Sequence, residues 1–78
     1  STNTVFTIKF EEGSRPDVVI TSPGGKVYTS SSENDWWFTL SEDATSITMD
    51  FYATSDEPWT IRVYKKDDKT VNVSMSYK

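Results

Sequence analysis

The stretch "SENDWWFTLS" (32–41) holds the side chains with most to offer a ligand, two adjacent tryptophans preceded by Asn34 and Asp35. A sugar ring presents an apolar face of C–H groups that stacks on an indole, while nearby amides, carboxylates and hydroxyls take up its hydroxyl groups. Tryptophan suits this work because it combines large area with few rotors to freeze. Twelve Asp and Glu residues also invite a search for a glycosidase pair. Hydrolysis of that kind needs two carboxylates at fixed separation in a cleft. Here the acids fall mainly in "SEDA" (41–44), "SDEP" (55–58) and "KKDDK" (65–69), which read as solvated turns. Those turns could offer oxygen ligands to calcium, but none has the spaced ligand pattern of a calcium loop, so no metal is expected. "NVS" (72–74) matches a glycosylation acceptor, and "PGG" (23–25) reads as a hairpin turn and not as a phosphate cradle.

Composition narrows the chemistry further. The 78 residues contain no histidine and no cysteine. That removes the usual general base, every Ser-His or Cys-His arrangement, thiolate zinc sites and disulfides. A formal charge of −4 argues against nucleic acid, whose partners present a basic face. No apolar run approaches the roughly 20 residues of a membrane-spanning helix, so membrane insertion is not expected. The opening residues are not expected to act as a signal peptide. The expectation is one non-catalytic domain (1–78) without a cofactor, excised from a larger protein.

The elements that must position these residues are written in period two. "TVFTIKF" (4–10) groups Phe6, Ile8 and Phe10; "DVVIT" (17–21) groups Val18 and Ile20; "SITMDFYA" (46–53) groups Ile47, Met49, Phe51 and Ala53. "DWWFTL" (35–40) groups Trp36, Phe38 and Leu40, "WTIRVY" (59–64) groups Trp59, Ile61 and Val63, and "TVNVSMSY" (70–77) groups Val71, Val73, Met75 and Tyr77. Such alternation marks strands with one buried and one wet face. With "KVYT" after the "SPGGK" turn there are seven strands at short spacing, which predicts an all-β antiparallel sandwich or small barrel. Pro23 and Gly24 suit positions i+1 and i+2 of a type II turn.

This phasing assigns Trp36 and Trp59 to the core and turns Trp37 outward with Asp35 and Thr39. Two roles fit Trp37. It packs under the "SSSEN" loop or caps one end of the sandwich, or it is a flat platform for a ligand. In the second case Asp35, Asn34, Arg62, Tyr64 and Tyr52 are the candidate companions, if the strands bring them near.

"VVITSPGGKVYTS", "EPWTIRVYKKDD" and "VNVSMSY" resemble the small immunoglobulin-like sandwiches of extracellular proteins that accompany von Willebrand A domains. Similar hairpins also occur in sandwich modules beside secreted hydrolases. The resemblance implies an immunoglobulin-like fold, Pro23 and Gly24 in a turn, Trp59 in the core, and an extracellular, secreted or cell-surface location. It implies a non-catalytic accessory domain whose partners are neighbouring domains of the same chain or another protein. The adjacent tryptophans lie outside the shared pattern, and they keep open the alternative of a carbohydrate-binding module for a polysaccharide. Polymerisation through an edge strand is open to any sandwich, and outward Lys9 and Arg62 discourage it.

Overall fold

A computed structural model describes residues 2–77. The alternating segments form β1 (Thr2–Phe10), β2 (Asp17–Thr21), β3 (Val27–Ser30), β4 (Thr39–Leu40), β5 (Ser46–Ala53), β6 (Thr60–Tyr64) and β7 (Val71–Tyr77). They make two antiparallel sheets, ordered β4-β5-β1-β7 and β3-β2-β6. The fold is the expected small all-β sandwich.

Register explains the core. Residues directly opposite on paired strands share a face. Phe6 pairs with Met49 and Ile8 with Ile47, so the two central strands of the larger sheet present one continuous apolar surface. Val18 and Ile20 of β2 press on it from the smaller sheet, and Phe38 seals a flank. Burying side chains of this size contributes about 1.5–3 kcal/mol each before chain entropy is charged against it.

The turns hold this register. In the 22–26 hairpin, Gly25 N–H donates to Ser22 C=O at 2.9 Å and Ser22 N–H to Lys26 C=O at 2.8 Å. The positive φ falls on Gly25 (+90°) and not on Gly24, so the loop is not the type II turn that the Pro-Gly pair predicts. A left-handed residue placed one position later matches the right-handed twist of the flanking strands better. Ala44 does the same in the next hairpin with φ +57°, its N–H bonded to Ser41 C=O at 3.0 Å. At the same end as this second hairpin Asp67 ties two loops together. Its carboxylate accepts from Lys69 N–H at 2.9 Å and from the buried Ser14 hydroxyl at 2.9 Å, while Lys66 Nζ donates to Gly13 C=O at 3.1 Å.

Further expectations are corrected besides the type II turn. The 35–40 strand shrinks to Thr39–Leu40, because Asp35–Phe38 closes as a turn. Trp36 consequently leaves the core and is 88% exposed, and Leu40 sits at the rim. On β7, Val73, Met75 and Tyr77 share the inward face with Ile8, Phe6 and Thr4, yet they are 51%, 43% and 69% exposed. The smaller sheet has three strands against four, and β6, its last strand, leaves that part of β7 uncovered.

Candidate functional site

The 31–38 loop is built by its own small polar residues. Ser31 Oγ accepts from Glu33 N–H at 3.3 Å and Asn34 N–H at 3.1 Å, and Ser31 N–H donates to Asn34 C=O at 2.7 Å. Asn34 Oδ1 accepts from Trp36 N–H at 3.4 Å, the local bond through which asparagine favours turns. Phe38 N–H then donates to Asp35 C=O at 2.9 Å. Trp36 and Trp37 therefore occupy the two central positions of a β-turn, and Phe38, its last residue, plugs the core. A turn, unlike a strand, can send two successive side chains away from the core.

The two indoles meet different surroundings. Trp37, 52% exposed, stands edge-on to Tyr28 at 5.1 Å between ring centroids, with an interplanar angle of 86°. Lys26 Nζ lies 4.6 Å from the Trp37 centroid and 5.2 Å from that of Tyr28. Behind Tyr28 the row continues to Trp59 at 6.0 Å and from Trp59 to Phe51 at 4.4 Å. Trp59 is partly buried against the core, as its phase predicts. Trp36 has no ring partner among the described residues and offers its faces to solvent.

Asp35 anchors the base of this turn. Its carboxylate lies 3.6 Å from Arg15 Nη2, which also donates to Ser30 Oγ at 3.0 Å. Arg15 Nε is buried without a hydrogen-bond partner among the described residues. The ion pair connects the tryptophan turn to the 11–16 connection, so Asp35 works as a strut. Arg15 also lines a cleft of about 300 Å³ with Asp17, Ser32, Tyr64, Lys65 and Lys66.

The six candidate residues are thus divided. Asn34, Asp35 and Trp37 belong to one loop, with Asn34 shaping it and Asp35 pinning it. Arg62 and Tyr64 are exposed on the outer face of the smaller sheet, where their register partners are Val19 and Asp17. Tyr64 approaches Arg15, the partner of Asp35, through the cleft. Tyr52 is exposed on the outer face of the larger sheet, on the far side of the sandwich. Sequence reading missed Lys26, Tyr28 and Trp36. For Trp36 the signal was present in "ND", a pair that favours turns over strands immediately before the indoles. Among the described residues no three carboxylates gather as a metal site would need.

The acidic turns carry modest electrostatic signatures. Hydrogen bonds from the side chains of Thr45 and Ser41 hold the Asp43 carboxyl below its ordinary pKa. Asp67 is lowered chiefly by the Lys69 backbone N–H and then by the Ser14 hydroxyl, with Lys69 and Lys66 charges adding to the effect. Both are restraints on loops.

No family model, curated protein or solved structure matches the chain.

Proposed function

We propose that the chain is a non-catalytic, immunoglobulin-like accessory domain of a larger secreted or surface protein, and that it makes contact through the tryptophan turn. The observation that carries this reading is Trp36, 88% exposed on a loop that Ser31, Asn34 and the Asp35–Arg15 pair hold in shape. Loops lack a core reason to place a large indole in water, and Trp is enriched where proteins bind. A preformed loop loses little entropy on contact. The test compares the isolated chain with the same chain inside its parent polypeptide. The Trp36 indole N–H should be shielded from solvent exchange in the longer protein, and equal exchange in both would count against an intramolecular contact.

A second reading, a carbohydrate-binding module, draws on the same turn. Trp36 offers a flat apolar face for a sugar, while Lys26 over Trp37 and the Asn34 amide supply polar groups close by. Under this reading a soluble polysaccharide shifts the Trp36 indole signal saturably and Trp36→Ala abolishes binding with the fold intact.

A further inference from the structure

The side of the sandwich away from the tryptophan turn is incomplete. The larger sheet ends in β7 and the smaller in β6, and neither end strand has a neighbour among the described residues. Between them lies a groove of about 300 Å³ with Phe51 and Ala53 at its floor, Trp59 and Ile61 on one wall, and Met75 and Tyr77 on the other. Half-exposed Val73 extends the apolar surface along β7. Val73, Met75 and Tyr77 lie on the inward face of β7, fixed there by pairing with Ile8, Phe6 and Thr4. The position that would cover them is the fourth place in the smaller sheet, beside β6.

We propose that this groove accepts an extended segment of another protein, which pairs antiparallel with β6, lays alternate apolar side chains over β7 and sets a carboxylate opposite Arg62. Addition of a strand to an open sheet edge is an established mode of peptide recognition, in which main-chain bonds give affinity and pockets for alternate side chains give selectivity. The exposed apolar face chooses between the two free edges. A strand added to β7 would extend the larger sheet and leave Met75 and Tyr77 in water, whereas one added to β6 covers them.

Charge chooses the occupant. In a dimer through two β6 strands, the register that pairs all five residues sets Thr60 against Tyr64 and Arg62 against Arg62 of the second copy. Like charges directly opposite are destabilising, and opposite ones favourable. Arg62 thus disfavours self-pairing and favours a partner strand with an acid at that position. The groove lies apart from the tryptophan turn, so this inference does not depend on the function assigned to the turn.

The test titrates the ¹⁵N-labelled chain with a nine-residue synthetic peptide alternating threonine and valine, its central threonine replaced by glutamate. The amides of 60–64 should shift saturably and their hydrogen exchange slow. A matching peptide with central lysine should bind at least tenfold more weakly, and Arg62→Glu should reverse that preference. Met75→Glu, at an exposed position, should keep the Trp36 and Trp37 indole signals and lose binding at least tenfold. The proposal is overturned if β6 does not respond, or if the shifts are confined to the indoles of Trp36 and Trp37. It is equally overturned if β6 signals follow protein concentration without peptide, the result of self-pairing.

Discussion

Asp35, Trp36, Trp37 and Phe38 form four consecutive turn positions whose side chains carry different loads. Phe38 is buried, Trp37 leans on Tyr28 under Lys26, and Trp36 has no ring partner among the described residues. An edge-to-face aromatic pair contributes about 0.5–1.5 kcal/mol and an exposed cation–π contact about 0.5–1 kcal/mol. Trp37→Ala should therefore lower stability by roughly 1–2 kcal/mol in denaturant unfolding. Trp36→Ala should stay within about 0.5 kcal/mol of the parent, as a surface substitution does. A larger loss for Trp36 than for Trp37 would mean that the turn is packed the other way. Acid titration reaches a second pair of residues. Asp43 and Asp67 have folded pKa values below their ordinary ones, so the stability they give is complete above the unfolded value, about 3.9, and is lost as pH falls through the folded value. Asp67→Asn should flatten the fall of unfolding midpoint with pH below about 4. An unchanged acid limb would show that the Ser14 and Lys69 bonds do not report on folding.

The hairpin turns decide how securely the strands hold their register. Gly25 has φ +90° with open space around its Cβ position, so the cost of a side chain there is conformational. Gly25→Ala should destabilise by roughly 1–2 kcal/mol, the penalty for an L-residue in left-handed backbone. Gly24→Ala, whose Cβ would meet only Ser22 Oγ at 3.9 Å, should be neutral or stabilising by up to about 1 kcal/mol. Ala44→Gly should stabilise by up to about 1 kcal/mol, because strain relief outweighs the added chain entropy. Thermal or denaturant midpoints for the three variants check these signs, and the reverse order for Gly24 and Gly25 would restore the type II turn. The strands themselves were legible because alternation of apolar and polar residues is a direct imprint of the pleat. β5 reads correctly from Ile47 to Phe51. Trp36 was not legible from period two, since that rule presumes a strand and the Asn34–Asp35 turn interrupts it. The exposure of Met75 was not legible either. Alternation shows which residues share a face but not whether another sheet covers that face.

The whole molecule is a sandwich of unequal sheets, measuring 36 × 24 × 22 Å, with two different apolar surfaces. The aromatic row of Trp37, Tyr28, Trp59 and Phe51 runs between them, from the tryptophan turn to the floor of the open groove. Trp59 and Phe51 are common to the row and the groove, whereas Trp36 stands outside both. Substitution of Trp36 thus isolates the turn from the rest of the fold. The most direct measurement follows the three tryptophan indole N–H signals by ¹H–¹⁵N NMR. It compares the isolated chain, the chain in its parent polypeptide, and the chain titrated with soluble plant and bacterial polysaccharides. The Trp36 signal should move, or become shielded, in the parent polypeptide or with a polysaccharide, and Trp59 should move least. A Trp36 signal unchanged in both settings would contradict the assignment of the tryptophan turn as the contact surface.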